Sequence, residues 1–149
     1  FGGLRVILVL DRQLQAAALA VHADELGFDR VTDLQVLAGV VDALVGPQAA
    51  LSLALMVHEL ATNALKHGAL SSAAGRVAIR WRIEAAEQEE LVLDWMERGG
   101  PVPQEPDRRG FGSHLIEMGL LGTGGSIVRY AMSGFEATFR APLPEIRQS

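Results

Sequence analysis

Ten consecutive residues, His58-Glu59-Leu60-Ala61-Thr62-Asn63-Ala64-Leu65-Lys66-His67, hold the densest set of chemically able side chains in this sequence. On a helix Glu59, Asn63 and Lys66/His67 stand at i, i+4 and i+7/i+8, so they share one stripe, rotated away from the apolar row of Leu60 and Ala64. That stripe gathers a carboxylate, a carboxamide oxygen and cations beside the core. The set suits a hydrated Mg²⁺ bridging phosphates, because Mg²⁺ prefers oxygen, keeps several waters and takes few ligands from protein. On spacing alone a solvated polar face explains the stripe equally well. His58-Glu59 also opens like the zinc-protease pattern H-E-x-x-H, but Thr62 stands where the second histidine belongs, which excludes it.

Two further segments have the residue types of a ligand site. Leu93-Asp94-Trp95-Met96-Glu97-Arg98-Gly99-Gly100-Pro101 ends a strand pattern in an acid followed by glycines. Glu97 shares the face of Leu91, Leu93 and Trp95, so a carboxylate lies where the buried row runs out. There it can accept a hydrogen bond from a ligand's amino group, while the glycines admit the ligand close to the backbone. A strand end followed by a turn is the commoner meaning of such a segment. In Gly110-Phe111-Gly112-Ser113-His114-Leu115 glycines directly precede a helix, whose free N–H groups and positive dipole end favour an anion. As a dinucleotide fingerprint it lacks the third glycine and follows a loop rather than a strand, and no G-x-x-x-x-G-K-[ST] phosphate loop occurs. Arg108 and Arg109 read equally as phosphate ligands and as exposed surface arginines.

The elements that must position these residues follow from periodicity. The spacing predicts a helix over Gln48–His67, with Pro47 just before it, Leu53, Met56, Val57, Leu60 and Ala64 along one stripe, and Gly68 in the left-handed conformation at its end. Val77, Ile79, Trp81 and Ile83 alternate with polar residues, as do Leu91, Leu93 and Trp95, which predicts two half-buried strands joined by a polar hairpin at Glu87–Glu90. A helix over Ser113–Leu121, the turn Gly122–Gly125 and two closing strands, Ser126–Tyr130 and Phe135–Arg140, follow. Upstream, residues 4 to 10 form an apolar run that is either a strand or the end of a helix. Gln13–Leu26 reads as a helix stopping at Gly27, and Val31–Leu37 and Val40–Val45 read as short strands. The order predicts an α+β fold: a two-layer sandwich with a mixed, mostly antiparallel sheet covered on one face by about three helices.

Composition narrows the functional classes. At 149 residues and 49% hydrophobic content the chain can bury an aliphatic core as a single domain. Its formal charge of −5 offers no basic footprint, which argues against nucleic acid as a partner. With no cysteine there is neither disulfide nor thiolate metal site, which suits a cytoplasmic setting. The apolar runs fall short of the roughly 20 residues of a membrane span, so no direct membrane contact is expected. The opening Phe1-Gly2-Gly3, without a Met, reads as part of something longer.

Taken together and in this order, HELATNALKHGAL, WME and GFGSHLIE resemble the N box, the W-x-E marker and the second glycine box of the HWE family of sensor histidine kinases, within the GHKL (Bergerat-fold) ATPases. The resemblance covers about residues 30 to 142 and is most specific at the N box. It implies a domain over residues 30–149 that binds ATP with Mg²⁺. Asn63 would ligate the Mg²⁺, and Glu59 would hold a metal-bound water or polarise the reacting groups. Lys66 and His67 would lie near the phosphates, which Gly110, Phe111, Gly112 and Ser113 would help to hold. Glu97 stands where other GHKL proteins have an Asp reading the adenine amino group, with Gly99 and Gly100 bordering the base. The stretch between Gly100 and Gly110 would be a short ATP lid. Trp95 and His58 are family markers, for which packing and orienting neighbours is the simpler role.

The same resemblance implies partners: a histidine-bearing dimerisation segment of the parent kinase, and a response regulator. Residues 1–29 would lead from that segment. His22, the one upstream histidine, lies outside any phosphoacceptor motif, so the acceptor is expected elsewhere. Two readings compete: a degenerate Bergerat-fold adaptor or phosphotransfer protein that no longer binds ATP, and a GHKL serine kinase acting as an anti-sigma factor. Glu59, Asn63 and both glycine pairs argue against the first, and the H-E and W-x-E features against the second.

Overall fold

A computed structural model describes residues 5–11, 18–22, 46–85, 87–107, 110–119 and 125–148. The longest helix among the described residues, α1, runs over Pro47–Lys66, with Pro47 in its first turn, where a missing N–H costs no hydrogen bond. It buries Ala49, Leu53, Met56, Leu60 and Ala64 on one face, the row that the 3.6-residue period predicts. A 3₁₀ turn, Ala69–Ser71, follows. Two shorter helices are described in the same layer: α2, Phe111–Met118, and α3, Leu143–Gln148.

These helices lie against a six-stranded sheet of β1 (Arg5–Asp11), β2 (Ala18–His22), β3 (Arg76–Glu84), β4 (Glu90–Arg98), β5 (Ser126–Ala131) and β6 (Gly134–Pro142). The order across the sheet is β2-β1-β3-β4-β6-β5, and every ladder among the described residues is antiparallel. The register puts Ile79 opposite Trp95 and Trp95 opposite Ala137. Because strand side chains alternate, Val77, Ile79, Trp81, Leu91, Leu93, Trp95, Ala137 and Phe139 all turn to the helices and are buried. With Ile116 of α2 and Leu143 and Ile146 of α3 they form one core. Burial of a side chain such as Leu60 stabilises the fold by about 1.5–3 kcal/mol. The α+β sandwich expected from sequence is therefore the one observed.

The opposite face of the sheet is held by charge. Arg82 bonds Glu84 at 2.7 Å and also Asp94, which accepts from Thr138 Oγ1 at 2.7 Å. Arg140 donates to Glu84 at 2.7 Å and to Glu90 at 3.2 Å. The hydrogen bonds from Arg140 and then Arg82 hold the Glu84 carboxyl below its ordinary pKa. Burial opposes the charge on Arg82, but its bonds to Asp94 and Glu84 outweigh that and raise its pKa.

Several expectations need correction. The helix expected over Gln13–Leu26 is a strand where it is described: Ala18–His22 pairs with β1, so His22 lies on a strand. The ambiguous run at residues 4 to 10 is likewise a strand over Arg5–Asp11. Gly68 is not left-handed but extended, with φ −108° and ψ −153°, and its residue type has a different cause, given below. The helix expected at Ser113 begins two residues earlier at Phe111 and ends at Met118, where Gly119 takes φ +69°. Helix α3 and the 3₁₀ turn lie where no element was expected. The strands expected at Val31–Leu37 and Val40–Val45, the boundary between residues 29 and 30, and Arg108 and Arg109 lie outside the described residues.

Candidate functional site

Helix α1 and the turn that follows it are where the two glycine segments pack. Near the middle of α1, Glu59 is half-buried while Asn63, one turn on, is exposed, as are Lys66 and His67. Glu59 is met by α2: a Cβ placed on Gly112 would lie 2.4 Å from Glu59 Oε2. With glycine there, the start of α2 comes this close without displacing the carboxylate. Gly110 forms the N-cap of α2 without a side-chain hydrogen bond, and a Cβ on it would meet nothing within 4 Å. Backbone donors of the first turn at Phe111, Gly112 and Ser113 are therefore of the kind that takes an anion. Ser113 is half-buried beside them.

The second glycine segment closes on the C-terminal end of α1 through Glu97. Glu97 is only 4% exposed, and it is the sole buried charged residue among those described. Its Oε2 accepts the backbone N–H of Ala69 at 2.8 Å, and its Oε1 accepts the indole N–H of Trp95 at 3.0 Å. An isolated buried carboxylate would be costly, and these two donors keep it in place as an acceptor. A Cβ on Gly68 would lie 2.2 Å from Glu97 Oε2 and 2.9 Å from Ala64 Cα, which is why position 68 is glycine although its backbone is extended. Gly99 has φ +77°, with the carbonyl of Ala74 2.6 Å from where its Cβ would stand. A Cβ on Gly100 would lie 2.4 Å from Ala69 Cα. The chain after β4 is thus pressed onto the turn that donates to Glu97.

Of the residues singled out from sequence, the structure brings together two groups: Glu59 with Gly112, and Glu97 with Gly99, Gly100 and the turn after α1. Sequence reasoning missed the Ala69 N–H and Gly68. It could have found the Trp95 bond, because W-x-E on a strand puts both side chains on one face. The oxygen donors of Asn63 and Glu59 fit a Mg²⁺ shared with phosphates, which asks one or two ligands of the protein. Among the described residues no group of three or more His, Cys, Asp or Glu converges. Nor is any helix among them long and apolar enough to cross a membrane.

An antiparallel sheet layered with helices, with Gly112 against Glu59 of α1 and Gly100 against the turn that follows it, is an α+β architecture of the GHKL-like kind. No family model matches the chain. It is 43% identical over 102 residues to blue-light-activated histidine kinase 1 of Erythrobacter litoralis, covering 66% of this chain and 28% of that protein. It is 40% identical over 82 residues to a blue-light-activated histidine kinase of Brucella anthropi, covering 54% and 17%. To that of Brucella ovis it is 37% identical over 107 residues, covering 69% and 22%. The histidine kinase domain of the Erythrobacter litoralis EL346 protein superposes with a TM-score of 0.50 at 24% identity, over 68% of this chain and 48% of that one. The chain is a domain of the histidine-kinase type, related over the matched residues to the blue-light-activated kinases of the HWE/GHKL family. It spans little more than a quarter of the relatives it matches, or less.

Proposed function

We propose that this domain binds ATP with Mg²⁺ and presents the γ-phosphate to a histidine on a separate helical segment of a parent kinase, from which a response regulator is then phosphorylated. The observation that supports it best is the convergence on α1, with Gly112 against Glu59 and Glu97 against the turn that follows the helix. Asn63 would ligate Mg²⁺, with Glu59 holding a water of its shell. Lys66, His67 and the start of α2 at Gly110–Ser113 would receive the phosphates. Glu97 would accept from the adenine amino group, with Gly99 and Gly100 beside the base. Bound Mg²⁺ supplies charge neutralisation on the phosphate oxygens. The residues here supply position: they align Pγ so that an imidazole nitrogen forms the P–N bond as the bond to the bridging oxygen breaks and ADP leaves. A cytoplasmic setting, where ATP is at hand, belongs to the same proposal.

The test is the thermal midpoint with and without Mg-ADP. A ligand that binds only the folded state raises it, and at about 100 times Kd contributes roughly 2.7 kcal/mol. A magnesium-dependent rise that Asn63→Ala abolishes is the expected result. No rise in the unsubstituted chain at millimolar nucleotide would sink the proposal and leave the non-binding adaptor standing.

A further inference from the structure

We infer that Trp95 is a positioning residue that sets the base preference of the site, by fixing Glu97 as a pure acceptor toward the exocyclic amino group of a purine. The inference rests on the ATP reading above and adds to it the residue that makes the carboxylate selective. Residues 95 and 97 are two apart on β4 and so share a face. Trp95 is fully buried and Glu97 nearly so. One donor reaches each carboxylate oxygen, the Trp95 indole N–H at Oε1 and the Ala69 N–H at Oε2. Held from both sides, the carboxylate cannot turn. Its remaining lone pairs can take a ligand N–H. A ligand oxygen at the same place meets a fixed negative charge.

Removing the indole donor changes that chemistry while leaving the carboxylate present. With phenylalanine at 95, Oε1 loses its partner, and the group is free to rotate away from a ligand's amino group. Selectivity between a 6-amino and a 6-oxo purine then falls, though the phosphate-binding residues are untouched.

The probes are ADP and inosine diphosphate, titrated in the presence of Mg²⁺ into the wild-type chain and Trp95→Phe. One hydrogen bond to a charged acceptor corresponds to about 10- to 100-fold in affinity. The wild type is expected to prefer ADP by that factor, and Trp95→Phe to lower the preference about tenfold, mostly through weaker ADP binding. A purely structural role would weaken both nucleotides together, and an unchanged ratio in the variant overturns the inference. A second measurement covers a variant that does not fold. The chain has two tryptophans, Trp81 and Trp95, so in the ¹⁵N-labelled wild type one of two indole N–H resonances should move on saturation with ADP and move less with inosine diphosphate. Equal responses to the two nucleotides would count against it decisively. A wild type that binds neither nucleotide overturns the ATP reading and this inference with it, a result visible before any substitution is made.

Discussion

Gly112 of α2 faces Glu59 of α1 so closely that a Cβ would stand 2.4 Å from the carboxylate oxygen. The atom in the way is the far end of a flexible side chain, which can swing aside. Alanine is also the better helix former by about 1 kcal/mol. Gly112→Ala is therefore expected to change stability by no more than about 1 kcal/mol in denaturant unfolding, yet to displace Glu59. If Glu59 holds a metal-bound water, magnesium-dependent ADP affinity should fall about tenfold, the worth of one hydrogen bond to a charged group. Unchanged affinity would show that the placement of Glu59 does not matter to binding.

Gly100 makes a contrasting case, because its neighbour is backbone. A Cβ there would lie 2.4 Å from Ala69 Cα and 2.8 Å from Ala69 N, and neither can move without pulling the Ala69 N–H from Glu97. Gly100→Ala should cost about 1–3 kcal/mol, as overpacking does. Gly110, with nothing within 4 Å of its Cβ position, is the control: alanine there should stay within about 1 kcal/mol of wild type. Equal losses at the two positions in urea unfolding would refute the packing account of Gly100.

The contrast between these glycines marks what the sequence could reveal. Local period was legible: the rows of α1, β3 and β4 follow from residue spacing, and Glu97 could be placed at the end of a buried row. The cause of Gly68 was not legible, because the oxygen it avoids belongs to a residue far downstream on another strand. Strand β2 was lost in an Ala-rich stretch, where small residues give no contrast between the helical and strand periods. Helix α3 is only six residues long, too short for its two buried positions to show a period. His58 and Trp95 were equally conspicuous as markers, yet only Trp95 acquires a hydrogen-bonded role, and its partner lies in its own strand.

The ion network on the open face predicts a pH dependence. Glu84 has its pKa lowered in the folded chain by Arg140 first and Arg82 second. A carboxylate with a depressed folded pKa contributes stability above its unfolded pKa and loses it as pH falls through the folded value. The contribution of Glu84 should thus be present at neutral pH and vanish in the acid range below an ordinary glutamate pKa. Its side chain is 35% exposed, so solvent screening keeps the effect within that of a surface pair, under about 1 kcal/mol. Glu84→Gln should lower the midpoint slightly at pH 7 and not at all at the acid end, with the difference shrinking in high salt. A loss that persists at low pH would assign the effect to packing.

Helix α3 tests whether the unexpected C-terminal element belongs to the core. Leu143 and Ile146, three residues apart on one face, are each 1% exposed and join the cluster made by α1 and the sheet. The carbonyl of Ile146 accepts the N–H of Gly46 at 2.6 Å, just ahead of α1, so α3 also anchors the start of the helix that carries Glu59 and Asn63. Burying two such side chains stabilises by about 3–6 kcal/mol together, a large share of a typical domain's 5–15 kcal/mol. Ile146→Ala should therefore cost about 2–5 kcal/mol, while Arg147→Ala, at an exposed position, should stay within about 0.5 kcal/mol. Urea unfolding of the two variants decides it. A near-neutral Ile146→Ala would mean that α3 rests on the domain without contributing to its core. A large loss, with hydrogen exchange quickened over the first turns of α1, would show that the helix bearing the site depends on the element least visible in the sequence.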